Sequence, residues 1–349
     1  MFKLIDPLTD SRWDEFINNH PESLIFHHSS WAKVLTERYG DKCKYYTLQE
    51  NGQIIGVMPF FHLTSPLIGN LVICLPSTDT CFPLANTEND YRQLLKETIN
   101  ELSKNGNASI QINGCSKFGM TDDMGFGRGY NSRLVQVVDI NRDLDAIRAG
   151  MTRNGRYNLR AAQKQPITIK LGQDEKDLKL LYKMTVDTLQ RTSAFPPAYS
   201  FFRSIFFHLI TKGYGSMFLA EYQGKIIAGI LCLYYKDTVL CKYSGQNEKY
   251  LEYRPNYSLH WKAIEHFHNK SFKYYDFGGT DSDDQGLLFF KRNWGIKETS
   301  RSFYYYPQEI ACKSVQVAKH FNSPYKAALK SMPRPAIELL STCLNRHYY

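Results

Sequence analysis

Residues 218–233, FLAEYQGKIIAGILCL, and residues 46–61, YTLQENGQIIGVMPFF, spell the same local structure twice. In each, an apolar run meets a polar residue and a glycine, Gln223-Gly224 or Asn51-Gly52. A polar residue, an Ile-Ile pair, a small residue and a second apolar run follow. Two such runs around a pair of this kind are a hairpin signal, because the glycine accepts the positive φ that a tight turn demands. Alignment sets Gly52 against Gly224 and Ile54-Ile55 against Ile226-Ile227. A strand, a helix and a further strand follow each copy, with the helices at Asp90–Lys104 and Asn256–Phe267. Two copies of one supersecondary unit imply a duplicated domain, and they are too few for a solenoid. The predicted fold class is α/β (α+β), with two tandem domains, each a mixed, mostly antiparallel sheet flanked by helices. They span 1–146 and 147–309, ahead of a basic helical tail at 310–349.

A chain of 349 residues is long enough for two cores, and 43% hydrophobic with 22% charged residues is an ordinary globular composition. The net charge of +9 favours an anionic partner such as a phosphate, nucleotide, nucleic acid or membrane surface. The eight cysteines show no CxxC or Cys/His ligand spacing and most lie among apolar residues. They read as buried thiols in a reducing compartment. No run approaches the ~20 apolar residues of a membrane span, and the N-terminus lacks a signal-peptide core. Both point to the cytoplasm. Leu339, Leu340 and Leu344 near Arg346 pattern the tail as an amphipathic helix, for packing or for a peripheral contact with the inner membrane face.

Residues 153–164 carry Arg153, Arg156, Arg160 and Lys164 at spacings of three and four, which stacks the cations on one helix face. Such a face is either solvated or a rail for phosphates. The glycine-rich piece at 118–130 contains Gly125, Gly127 and Gly129 but precedes a strand, not a helix. It reads as a surface loop and not as a dinucleotide fingerprint.

The unequal part is 273–294, KYYDFGGTDSDDQGLLFFKRNW, which has no counterpart in the first half. An aromatic strand breaks at Gly278-Gly279, passes through Asp281, Asp283 and Asp284, and enters an amphipathic helix carrying Lys291 and Arg292. Glycines let a ligand approach the backbone, and a helix N-terminus offers unpaired N–H donors. Asp276 stands where a carboxylate either takes a proton from an amine or caps the next turn. His27-His28 and His266-x-His268 lack a third ligand, so no metal is expected. No nucleophile elbow or nucleophilic cysteine context is present, which argues against a covalent enzyme intermediate.

The duplicated hairpin, the YDFGGT and GLLFFKRNWG segments and the YRPNYSLHWKAI helix together resemble the Fem family. These are two-domain acyltransferases of the GNAT superfamily, whose best-known members add amino acids to peptidoglycan precursors. The likeness runs from about Phe26 to Tyr306 and extends to the branch found with surface-polysaccharide genes. It implies two GNAT-like domains, the second catalytic and the first structural or acceptor-binding. By the same resemblance Lys291 lies near the reacting centre, Arg191 binds sugar-nucleotide phosphates, Tyr243 lines the substrate cavity and Lys33 binds phosphate. Asn256, Gly278 and Gly279, at the matching helix start and glycine break, join the substrate-binding set. The implied activity is N-acyl or aminoacyl transfer onto an amino group of a cell-envelope glycan or peptidoglycan precursor, nucleotide- or lipid-linked. No tightly bound cofactor is implied; acyl-CoA, an acyl carrier protein or an aminoacyl-tRNA would bring the acyl group. The chain departs from the family in lacking a charged coiled-coil arm and in carrying Gln165-Pro166 after the basic ladder. The rival reading is a non-enzymatic RNA- or tRNA-binding protein using Arg153, Arg156 and Arg160.

Overall fold

The computed structural model describes residues 1–65, 69–104, 109–120, 124–310, 332–333 and 336–337, so nearly all of the predicted tail lies outside the described residues. The chain divides into two compact units. One holds Met1–Ser132 with the described part of Arg301–Asn322. The other holds Arg133–Ser300 with the described part of Ser323–Asn345.

The first unit begins with β1 (Phe2–Ile5), α1 (Arg12–Asn19) and α2 (Ser29–Tyr39). The antiparallel run β2 (Cys43–Glu50), β3 (Gln53–Ser65) and β4 (Gly69–Ile73) follows, with β5 (Leu84–Ala85) beside β3. Helix α3 (Glu88–Lys104) then crosses to β6 (Ile110–Asn113), which lies parallel to β4. Trp13, Trp31, Phe60 and Tyr91 are among its buried side chains. After β4 the chain closes back on the end of β6. The Cys74 N–H donates to Gln111 O, the Thr80 hydroxyl donates to Asn113 O, and Cys81 bridges Asn113.

The second unit takes in β7 (Gly127–Asp139) from Arg133 onward, then α4 (Leu144–Gly150), α5 (Arg153–Gln163) and β8 (Thr168–Gly172). Next come α6 (Glu175–Arg191), α7 (Tyr199–Ile205), β9 (Gly215–Tyr222), β10 (Lys225–Tyr235) and β11 (Thr238–Gln246). The unit continues with α8 (Pro255–His268), β12 (Tyr274–Asp281), α9 (Gln285–Arg292) and the start of β13 (Lys297–Tyr306). Its sheet order is β7-β12-β11-β10-β9-β8, antiparallel except for β11 and β12, which run parallel around α8. One core of aromatic and aliphatic side chains, including Phe218, Ile230, Trp261, Phe267, Tyr275 and Trp294, fills the space under α8.

The duplication predicted from the hairpins extends to backbone detail. Asn51 and Gln223 have φ of 48° and 47°, and Gly52 and Gly224 have φ of 82° and 74°, so both hairpins make the same left-handed turn. Each second strand then bulges by one residue at the aligned place. Pairing passes from Ile54 to Gly56 and from Ile226 to Ala228, leaving Ile55 and Ile227 as the extra residues.

One local expectation needs correction. Gly127, Arg128 and Gly129 are not a surface loop; they form the start of β7. A Cβ on Gly129 would lie 2.5 Å from the Tyr305 ring and one on Gly127 would lie 2.9 Å from Gln308, so these glycines admit large neighbours onto a strand. The basic stretch is the single helix α5, which starts afresh after α4 because the Thr152 side chain accepts from Gly155 N–H. Helix α7 is continued by a π-helical turn at Phe206–Ile210.

Candidate active site

The parallel ladder between β11 and β12 is short. It pairs Thr238, Val239 and Leu240 with Tyr274, Tyr275 and Asp276 and goes no further. Each strand then bends away through a bulge. Against β10, β11 passes from Cys241 to Tyr243 with Lys242 extra, and against β7, β12 passes from Asp276 to Gly279. Bulges re-aim strands and end pairing. The result is a splay between two strands of one sheet, with Tyr243 on one side and Gly278 on the other.

Lys291 reaches this place from α9. Its side chain is buried, 4% exposed, and Nζ donates to Gly278 O at 2.8 Å and to Thr280 Oγ1 at 2.7 Å. A buried ammonium held by two bonds to one strand is a fixed positive charge with little water to screen it. The anchor continues outward. Thr280 Oγ1 donates to Gln136 Oε1 (3.0 Å), Gln136 Nε2 donates to Glu298 Oε2 (3.2 Å), and Glu298 pairs with Arg292 at 2.8 Å. The Arg292 hydrogen bond holds the Glu298 carboxyl below its ordinary range.

Beside Lys291 lies an aromatic wall. His260, 4% exposed, packs against Phe277 (4.9 Å between centroids), Phe290 (5.6 Å) and Trp294 (5.8 Å), and its Nδ1 is 2.8 Å from the Tyr275 hydroxyl. Burial first, and then the Lys291 charge, push the His260 imidazole down to about 3. It is therefore neutral at every physiological pH. In the unfolded chain it titrates near 6.5. Between pH 6.5 and 3 the unfolded state binds more protons, so stability is complete above 6.5 and drains away as pH falls. The expected loss is on the order of 4–5 kcal/mol across that window. Thermal melts from pH 7 to 4 check this: the wild type should lose more than His260→Phe does, and parallel curves would remove His260 as the cause.

The predicted site residues are placed as follows. Lys291, Gly278 and Thr280 meet. Asp276 accepts the Gly278 N–H at 2.8 Å, so its carboxylate braces the glycine turn. Gly279 is covered by Arg133, whose Cδ would lie 3.2 Å from an added Cβ. Tyr243 packs on Phe202 at 4.5 Å. Arg191, at the end of α6, pairs with Glu248 at 3.2 Å, both groups partly open to solvent. Asn256, second residue of α8, has a buried Oδ1 with no hydrogen-bond partner among the described residues. Leaving such an atom unsatisfied costs about 1–3 kcal/mol. Lys33 is exposed on α2 of the first unit. In the basic stretch, Arg156 turns back to donate to the carbonyls of Ala149 and Met151 at the end of α4, while Arg153 and Arg160 are exposed. Asp281 pairs with Arg133, and Asp284 caps α9 through Leu287 N–H. His27 is held by backbone on both nitrogens, with Leu24 N–H donating to Nδ1 and Phe82 O at 2.9 Å from Nε2. No cluster of three or more His, Cys, Asp or Glu suited to a metal occurs among the described residues. None of the described helices is long and apolar enough to cross a membrane.

Residue typing alone missed Asn293. It follows α9 directly and clasps the start of α5: its backbone carbonyl accepts Thr152 N–H, its Oδ1 accepts the Thr152 hydroxyl at 2.7 Å, and its Nδ2 donates to the Tyr257 hydroxyl. Gly155 is the seat of this clasp, since a Cβ there would lie 2.2 Å from Asn293 O. Position next to Lys291-Arg292 was the available signal.

A sheet splayed beside a short parallel pair, with a buried cation in the splay, leaves room for a ligand between two strands. The sequence profile described as an acetyltransferase (GNAT) domain matches residues 149–292. A lipid II:glycine glycyltransferase of Staphylococcus epidermidis is 20% identical over 82% of this chain and 88% of its own length. Among solved structures, FemX superposes with a TM-score of 0.71 at 16% identity, over 90% of this chain and 99% of that one. A tandem GNAT protein from the clavulanic acid pathway superposes with 0.54 at 10% identity, over 87% and 97%. Residues 149–292 thus match a GNAT acetyltransferase domain, and the chain as a whole is similar to FemAB-like acyltransferases in sequence and in fold.

Proposed function

We propose that this enzyme transfers an aminoacyl group from an activated ester to an amino group of a peptidoglycan precursor, directly and within the second unit. The observation that carries the reading is Lys291, a buried ammonium pinned to β12 at the mouth of the splay. In acyl transfer to an amine, the nitrogen lone pair forms the new C–N bond while the carbonyl oxygen takes up negative charge. The C–O bond to the donor alcohol then breaks, and the amine proton must leave. A preorganised cation a few ångströms from the developing oxyanion is the largest single contribution a protein can make to this chemistry. Asp276, on the same strand, is the carboxylate assigned to the departing proton. Asn256 Oδ1 is an acceptor for a substrate N–H, Tyr243 walls the cavity, and Arg191 exchanges Glu248 for an acceptor phosphate. Lys33 is assigned to phosphate on the first unit, which we read as structural or acceptor-binding. The glycyltransferase relative, named for lipid II, supports a lipid-linked acceptor, and so work at the inner membrane face.

The test is mass spectrometry of the full-length protein incubated with aminoacyl esters and either a lipid- or nucleotide-linked muropeptide or a plain amino sugar. One aminoacyl mass added to the muropeptide, with intersecting initial-rate lines, is expected. Accumulation of an acylated enzyme, or products on the amino sugar alone, would sink the proposal.

A further inference from the structure

Gln136 is the one polar side chain in the run Leu134-Val135-Gln136-Val137-Val138 of β7, and it is fully buried. Burying an amide is costly unless its donor and acceptor edges are both met. Its place on the sheet is specific. Pairing between β7 and β12 passes from Val137–Asp276 to Val135–Gly279, so Gln136 faces the two bulged residues, Phe277 and Gly278. Gly278 is the residue whose carbonyl holds Lys291.

The bonds through Gln136 close a circuit. It runs from Lys291 to Thr280, Gln136, Glu298 and Arg292, and Arg292 follows Lys291 on α9. The two ends fix the direction of every bond. An ammonium only donates, and an ionised carboxylate only accepts. The Arg292 hydrogen bond holds the Glu298 carboxyl below its ordinary range, so it is ionised at neutral pH. Glu298 therefore takes the Nε2 edge of Gln136, which turns Oε1 toward Thr280. The Thr280 hydroxyl gives its proton to Oε1, and its lone pair is left aimed at Lys291 Nζ. A reversed amide would set two donors, Nε2 and Nζ, against one hydroxyl and leave Glu298 facing Oε1.

We propose that Gln136 is a positioning residue for Lys291, and that Glu298 is a counter-charge relayed to it through two neutral side chains. Thr280 touches the cation, whereas Gln136 and Glu298 act through Thr280. Hydrogen bonds in a chain polarise one another, so the carboxylate at one end strengthens the contact at the other. A counter-charge three hydrogen bonds away steadies the ammonium. It does not cancel the field at a reacting oxygen as a carboxylate in direct contact would. The inference rests on the transfer reading above, in which Lys291 faces the developing oxyanion.

Two measurements test it, both on full-length protein. The first needs no activity. Protein with isotope-labelled lysine is examined by NMR for an ammonium resonance in slow exchange with water, assigned to Lys291 by its loss in Lys291→Met. The resonance is expected in the wild type and should vanish into solvent exchange in Gln136→Met, which keeps the side-chain length. The second is steady-state kinetics at a temperature where melting curves show every variant folded. Gln136→Met is expected to lower kcat about 5–10-fold at unchanged KM, within the worth of one hydrogen bond. Because it acts through Thr280, the double variant Gln136→Met/Thr280→Val should stay within about twofold of Thr280→Val alone. A side chain that merely filled space would multiply the two losses. Glu298→Gln keeps an acceptor but no charge, and its kcat should fall between wild type and Gln136→Met. A resonance missing from the wild type or kept in Gln136→Met overturns the proposal. So does a kcat loss below about threefold or a double variant whose losses multiply. A Glu298→Gln enzyme equal to wild type overturns the counter-charge. If transfer needs Lys291 while Gln136→Met keeps both resonance and rate, the positioning role falls and the transfer reading stands. A resonance that depends on Gln136 in a protein without transfer activity gives the reverse.

Discussion

Lys291→Met is expected to lower kcat by about 10²–10³-fold with little change in KM, the loss seen when one preorganised oxyanion donor is removed. Methionine keeps the length and apolar stem, so the aromatic wall of His260, Phe290 and Trp294 stays filled. It leaves Gly278 O and Thr280 Oγ1 without their Lys291 donor, and each buried unsatisfied group costs about 1–3 kcal/mol. A lower melting temperature is therefore also expected, and rates must be taken where the variant is folded. Thr280→Val separates the two effects. It keeps the charge and removes one anchor, so it should cost about tenfold in kcat, a fraction of the Met effect. Steady-state rates for the three proteins decide the matter. A Lys291→Met enzyme within tenfold of wild type would make Lys291 a structural cation.

The second large effect concerns folding. Gly155→Ala in an exposed helix would stabilise by roughly 0.5–1 kcal/mol. Here the added Cβ would sit 2.2 Å from Asn293 O and 3.0 Å from its carbonyl carbon, both backbone atoms. Something must move, and overpacking of this kind costs about 1–3 kcal/mol or more. The sign is the diagnostic. Calorimetry should show Gly155→Ala melting roughly 2–12 °C below wild type, at about 2–4 °C per kcal/mol for a unit of this size. Gly295→Ala should follow in the same direction, since Gly295 has φ of 68° and an added Cβ 2.2 Å from Gly150 O. A stabilised Gly155→Ala would mean that the clasp between α9 and α5 is not closed in solution.

What could be read from the sequence was what is local. The hairpins were legible because turn chemistry and strand alternation lie within 16 residues of each other, and the Ile-Ile pair that marked the repeat also holds the bulge residue in both copies. Lys291 was legible through resemblance and through its helix. Its anchoring was not, because Thr280, Gln136 and Glu298 are joined across separations of 144 and 162 residues. Nothing in a one-dimensional pattern brings Gln136 to Thr280. The Gly127–Gly129 strand was misread because glycines that admit Tyr305 have the composition of a loop. Arg156 carries the same charge as Arg153 and Arg160, and only geometry shows that it is spent on the end of α4.

The two parallel pairs, β4 with β6 and β11 with β12, carry a final consequence. In the first unit the chain after β4 folds back and seals the end of β6 with its own Thr80 and Cys81. In the second unit the ladder stops at Leu240 and Asp276 and no such seal follows among the described residues. One half is finished by its own backbone, whereas the end of the other ladder is where the proposed substrate would sit. A ligand that binds the folded state alone adds RT ln(1 + [L]/Kd) to stability. Substrate should therefore act as a keystone for the second half and leave the melting of the first half where it was.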